Sequence, residues 1–191
     1  MEYVQPIRDR KKIAAMKKYL KGSNLRDHCL FVLGIGSGLR ISDLLQLKIE
    51  DVMTERKKVK SRILLREKKT NKQRSFPISD NAKKAIEEYL ATRDYQLNEP
   101  LFISRKKRSA LQRAQAYKVI NDAAQSIGLV TKENKIGTHT LRKTFGYHAY
   151  QSGYDLTLLQ KIFNHSTPSI TLRYIGIEQE ELDDVYMNLN L

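Results

Sequence analysis

Cysteine is almost missing from this chain. Its single Cys29, inside the apolar run DHCLFVLGIG, excludes an internal disulfide framework and a cysteine-based zinc site, and fits a cytoplasmic setting. No apolar stretch reaches the length that spans a bilayer, and the opening MEYVQPIRDRKK is not a signal peptide. Three motif absences narrow the chemistry. The histidines form no HExxH and have no carboxylates beside them at ligand spacing, so no metal is expected. GIGSGLR fails the GxGxxG spacing, lacks a following Gly-Lys-Ser/Thr and comes after a helical segment, which makes it a turn. There is no GxSxG for a serine hydrolase. No cofactor is expected.

Acidic residues are also scarce. Against 35 Lys and Arg stand 21 Asp and Glu, a net charge of +14 in 191 residues. Between Arg56 and Arg74 ten residues are basic and only Glu67 is acidic, and a second basic knot follows at Arg105, Lys106, Lys107 and Arg108. The sign reverses near the end, at Glu178, Glu180, Glu181, Asp183 and Asp184. A basic body of this kind suits a polyanion, with nucleic acid favoured only modestly by charge alone. Charge alone also fits an ordinary lysine-rich solvated face. The basic runs lack the interleaved bulky apolar residues of a membrane-surface helix, so no membrane partner is expected.

The apolar periodicity predicts one mainly α domain with a small antiparallel sheet. Helices are expected over 8–20, stopped by Gly22, and over 25–35, apolar almost all round and hence buried. Ser42 is a candidate cap for a short helix bearing Leu44, Leu45 and Leu47. VKSRILL (59–65) and RSFPIS (74–79) read as strands around a polar tip, with Pro77 at an edge or strand end, and LFIS (101–104) as a third short strand. Further helices are expected over 80–93, 112–127, 138–151, 155–164 and 178–189. Pro168 suits the first position of another, capped by Ser166 or Thr167.

What remains is a set of groups suited to phosphate. Arg40 follows a Gly-Leu turn. His139 and Arg142 lie three apart in the first turn of a helix, hence on one face, where backbone N–H groups attract anions. His165 stands at the end of a helix, nine residues before Tyr174. A phenol, with a pKa near ~10, is a poor nucleophile at neutral pH unless a base or surrounding positive charge assists it. A cationic pocket is expected to favour the developing phenolate and to stabilise the charge on the equatorial oxygens of a pentavalent phosphorus. A lysine on the hairpin tip could protonate the leaving oxygen. Singly, each residue has a plainer role in a cap, a surface pair or the core; their joint order carries the signal.

That order, Arg, Lys, His-x-x-Arg, His, Tyr, resembles the catalytic domain of the tyrosine recombinases, the phage-integrase family, over roughly 25–176. SGLRISDLLQLKIEDV is similar to the family's first-arginine box (Arg40), KTNKQRSFPIS to its hairpin, with the catalytic lysine at Lys69, and THTLRKTFGYHAYQSG to its second box (His139, Arg142). LLQKIFNHSTPSITLRYIGI is similar to the third, giving His165 and the nucleophile Tyr174. The resemblance implies the DNA breaking-rejoining fold, a metal- and ATP-independent site-specific recombinase or integrase of a mobile genetic element, and a 3′-phosphotyrosyl intermediate. It also implies a homotetramer on synapsed DNA and a nucleoid-associated location, and an accessory DNA-binding protein is a further candidate partner. Further phosphate-contact candidates are Lys57, Lys58, Lys68, Lys72, Arg74 and Lys143, with the 105–108 knot. The sequence departs from the family at Asn164, where glycine is usual, and at Asp43, where glutamate is commoner and where the acid is expected to orient Arg40. Residues 1–191 are expected to form a catalytic domain alone, without the family's N-terminal core-binding domain. Two alternatives stay open: an accessory DNA-binding protein that kept the fold and lost catalysis, and a type IB topoisomerase-like activity.

Overall fold

The computed structural model describes residues 4–69, 71–104, 109–130, 136–177, 183 and 186–189. The helix α1, Arg10–Ser23, starts on Asp9, whose carboxylate accepts from the Lys11 amide. It runs through Gly22 and stops at Asn24, not at the glycine. Asn24 is extended (φ −165°), and its side chain already caps the next helix, α2, Leu25–Ser37, by accepting from the Asp27 amide. One residue ends one helix and starts another, so the glycine is not needed as a stop.

As the apolar run predicts, α2 is the buried axis of the fold, and it packs on α1, on α5 (Asp80–Leu90) and on α7 (Thr138–Gln151). Gly38 closes α2 in the left-handed conformation (φ 60°) and turns the chain into α3, Ile41–Leu44. Arg40, not Ser42, is the N-terminal boundary residue of α3, and no side chain caps it. Then come α4, Ile49–Val52, and an antiparallel hairpin of β1, Arg62–Arg66, and β2, Gln73–Pro77, with Ile63 opposite Phe76 and Arg66 opposite Gln73. Pro77, which has no N–H to give, closes β2. The LFIS segment is not a strand. It makes one isolated bridge, Ile103 to Ala110, and the Pro100 just before it makes another, to Lys48, on either side of the buried Leu101 and Phe102.

The remaining helices are α6 (Arg113–Ser126), α8 (Leu156–Phe163) and α9 (Pro168–Ile175), the last capped by Thr167 with Pro168 at its first turn. Where α7, α8 and α9 meet, Phe163, Ile175 and Ile177 form a compact apolar platform. Gly146 of α7 permits the close approach: a Cβ there would lie 2.6 Å from both Phe163 and Ile175. Gly146→Ala is therefore expected to overpack the platform by about 1–3 kcal/mol, offset in part by alanine's better helix propensity. At ~2–4 °C per kcal/mol for a chain of this size, the melting temperature should fall by several degrees; an unchanged value would mean that α7 can withdraw freely.

The segment before α1 lies across these same helices like a strap. The Ile7 amide donates to Thr144 Oγ1 at 2.9 Å, and His148 Nε2 donates to the Ile7 carbonyl at 2.9 Å. Arg8 stacks over the Tyr147 ring and donates to the Gly176 carbonyl at the end of α9. Among the described residues no helix is long and apolar enough to cross a membrane. In the predicted last helix, Leu182 and Val185 lie outside the described residues, while Tyr186, Met187 and Leu189 are helical and exposed.

Candidate active site

Five of the six predicted residues converge where α3, α7, α8 and α9 meet. The convergence is organised by one backbone atom, the carbonyl oxygen of Phe163 at the end of α8. A helix's last carbonyls lack partners within the helix. Here this one accepts from Arg142 Nη2 at 2.8 Å and from Arg40 Nη2 at 3.4 Å. Arg142 Nη1 donates to the Gly38 carbonyl at 2.6 Å, and its guanidinium lies 4.5 Å above the Phe163 ring. Arg142 is only 2% exposed, and burial pulls its pKa down to about 10, which leaves it charged at neutral pH. Each terminal nitrogen still keeps a second hydrogen for a ligand oxygen.

Asn164 makes the turn after α8 by adopting φ 52°. Asparagine is the residue other than glycine that enters this left-handed region most readily, so the departure from glycine leaves the turn intact. The side chain adds something glycine lacks: its Oδ1 accepts from Lys72 Nζ of the hairpin at 2.9 Å. His165 follows, its Nδ1 3.1 Å from the hydroxyl of the fully buried Thr171 one turn into α9. That contact fixes the ring plane and leaves Nε2 as its remaining polar atom.

Tyr174 lies on α9 with its ring edge-on to His165 (5.0 Å) and Phe163 (5.5 Å). Its hydroxyl is 3.5 Å from His139 Nδ1, at the outer limit of a hydrogen bond. Burial raises the Tyr174 pKa. Arg142 and Arg40 pull it down, the direction that favours a developing phenolate, without overcoming the burial. The resting pocket therefore holds a protonated phenol beside an imidazole that can accept its proton.

Burial also lowers the pKa of both histidines. For His139, Arg113, Lys143, Arg142 and Arg40 push the same way; for His165, Arg142 and Arg40 bring the value to about 4 from the ordinary 6.5. Both rings are neutral at neutral pH. Between these two values the unfolded chain binds more protons than the folded one, so folding stability falls as pH drops from 6.5 towards about 4. Melting temperatures across that window should decline for the natural chain and decline less for His165→Gln; equal slopes would show that His165 is not buried as described.

Lys69, the sixth predicted residue, is exposed at the hairpin tip and is not drawn into this cluster. Its neighbours are anchored: the Lys68 amide donates to Asp43 Oδ1 at 3.0 Å, and Lys72 reaches Asn164. Of the further phosphate-contact candidates, Lys57, Lys58, Lys68 and Lys72 are exposed, while Arg105, Lys106, Lys107 and Arg108 lie outside the described residues. Lys143 is not at the outer surface. It is 6% exposed, with its ammonium 5.4 Å from the centre of the Tyr174 ring, and belongs to the tyrosine's pocket. Arg74 is half-buried, donating to the Ser37 carbonyl at 3.3 Å and to Glu67 at 3.4 Å.

Asp43 sits 3.9 Å from Arg40 Nη1, too far for a hydrogen bond. The carboxylate that holds Arg40 is Glu67, at 2.8 Å. Sequence reasoning noted Glu67 only as the lone acid in a basic run, and it passed over Thr171 and Phe163. Two of these act through the folded surroundings and the third through its carbonyl and ring, and no motif marks them.

The family model described as "Phage integrase family" matches residues 8–181. The chain is 47% identical over 186 residues to the probable integrase/recombinase YoeC of Bacillus subtilis (strain 168), covering 97% of each. It is 33% identical over 169 residues to the tyrosine recombinase XerC of Thermodesulfovibrio yellowstonii, covering 84% of this chain and 53% of that protein. Among solved structures, the XerH site-specific recombinase bound to palindromic difH substrate, a post-cleavage complex, shares the fold, with TM-score 0.73, 22% identity and coverage of 99% of this chain and 54% of that one. The chain thus spans nearly all of YoeC but about half the length of the XerC and XerH proteins.

Proposed function

The chain belongs to the phage integrase family, and from that premise we propose that it is a tyrosine-type site-specific DNA recombinase whose residues 1–191 serve as the catalytic domain. The observation that carries the reading is the Tyr174 hydroxyl, held on the same chain within one pocket beside Arg142, His139 and His165.

In this reading a DNA phosphate sits against Arg40 and Arg142, whose remaining N–H groups meet its non-bridging oxygens. His165, held by Thr171, contributes Nε2 to the same phosphate. The Tyr174 oxygen attacks phosphorus as its proton passes to the His139 side. The phosphorus–O5′ bond breaks, the 5′ oxygen takes a proton from Lys69, and the DNA 3′ end is left on the tyrosine. The phosphotyrosyl ester keeps the energy of the broken backbone bond. A 5′-hydroxyl can therefore attack it in reverse and rejoin DNA without ATP, and the chain's own cations supply the electrostatic stabilisation. Strand exchange would take place in a homotetramer on synapsed double-stranded DNA. The exposed Tyr186, Met187 and Leu189 support a protomer contact through the last helix, and a separate DNA-binding protein is a further candidate partner.

The test is covalent trapping. The protein is mixed with pooled genomic fragments, non-covalent complexes are stripped with detergent, and the retained DNA is sequenced while the DNA-bearing peptide is identified by mass spectrometry. The expected product is a peptide modified at Tyr174 and a common DNA site. Binding of DNA with no adduct, in the presence of cell extract too, would replace this reading with that of a DNA-binding accessory protein.

A further inference from the structure

We propose that Glu67 is the positioning residue of this site, locking Arg40 in its phosphate-binding pose and tying it to the hairpin that carries Lys69. The inference rests on the recombinase reading above and concerns a residue outside the six-residue pattern.

Glu67 is 4% exposed. Burying a carboxylate is costly unless it is paired, and this one bridges two guanidinium groups: Oε2 accepts from Arg40 Nη1 at 2.8 Å and Oε1 from Arg74 Nη1 at 3.4 Å. Its backbone closes the hairpin tip, since the Glu67 amide donates to the Lys72 carbonyl at 2.9 Å and the Asn71 amide donates to the Glu67 carbonyl at 2.8 Å. One residue therefore grips the arginine with its side chain and sets the base of the turn that presents Lys69 with its main chain. Asp43 does a different job, spending Oδ1 on the Lys68 amide and standing 3.9 Å from Arg40.

A negative charge this close to a phosphate-binding arginine opposes DNA binding. Its benefit must then lie in geometry, and that conflict gives the proposal a distinctive signature: removing the charge should improve binding while harming cleavage. A residue that merely stabilises the fold would move both downwards.

Glu67→Gln in the full chain tests this on a DNA site recovered by trapping. Binding is measured in the Tyr174→Phe background, and adduct formation in a single turnover at saturating protein. The variant is expected to bind a few-fold more tightly at low salt, with the gain shrinking as salt screens it, and to form adduct roughly 10–100-fold more slowly. The double variant Glu67→Gln, Arg74→Gln separates two roles. If Glu67 served only to neutralise Arg74, the double variant would recover the natural rate; if it positions Arg40, the rate stays low. Arginine side-chain NMR of the free protein adds a readout independent of DNA, in which the Arg40 guanidinium is expected to gain rotational freedom in Glu67→Gln. An unchanged cleavage rate, recovery in the double variant, or binding and cleavage falling together with the melting temperature would each overturn the proposal. A natural chain that forms no adduct would overturn the recombinase reading instead, and the NMR result would then report separately whether Glu67 restrains Arg40.

Discussion

Tyr174→Phe is expected to reduce the covalent protein–DNA adduct below detection while leaving DNA affinity within about twofold and the melting temperature nearly unchanged, since changes of this size away from special contacts stay within about 0.5 kcal/mol. The ring's packing against Phe163, His165 and Lys143 uses no hydroxyl and survives in phenylalanine. Phenylalanine cannot reproduce the hydroxyl's 3.5 Å approach to His139. The variant therefore removes the proposed nucleophile and little else. Adduct surviving at natural yield would mean that some other side chain attacks, and would sink the assignment of Tyr174.

Arg142 carries the second large effect. Arg142→Lys is expected to slow adduct formation by roughly 10²–10³-fold, the range seen when one preorganised donor to a developing oxyanion is lost. A lysine offers a single nitrogen where arginine spans two carbonyls, Gly38 at 2.6 Å and Phe163 at 2.8 Å, and still keeps hydrogens for a ligand. Arg142→Ala should be at least as slow; it strands the Gly38 carbonyl, at about 1–3 kcal/mol, and leaves the Phe163 carbonyl only the longer bond from Arg40, so its melting temperature should drop as well. Single-turnover cleavage by the lysine variant within tenfold of the natural rate would show that charge alone suffices and that the fork geometry is not used.

Tyr174, His165, Arg142, His139 and Arg40 were legible in the sequence because their order and spacing survive in one dimension. So was the burial of α2, whose apolar residues run all round. The helix ends were less legible. Gly22 looks like a stop, yet the break belongs to Asn24, whose extended backbone and capping side chain serve two helices at once. LFIS has strand-like residues, but among the described residues it makes a single isolated bridge, from Ile103 to Ala110. Glu67 was half legible: it stands out in the sequence as the lone acid of a basic run, but its hold on Arg40, 27 residues away, arises only when the hairpin folds back. The burial that keeps the Tyr174 phenol protonated at rest is likewise a property of the folded pocket that a count of cations does not carry.

The strap formed by residues 5–8 has a mechanical meaning. It is fastened at Thr144 and His148 on the helix that carries Arg142, and through Arg8 at Gly176, two residues past Tyr174. The strap works as a clasp: it laces the end of α9 to α7 from outside the pocket, so the spacing of the helices that carry Tyr174 and Arg142 rests on these contacts as well as on the platform beneath them.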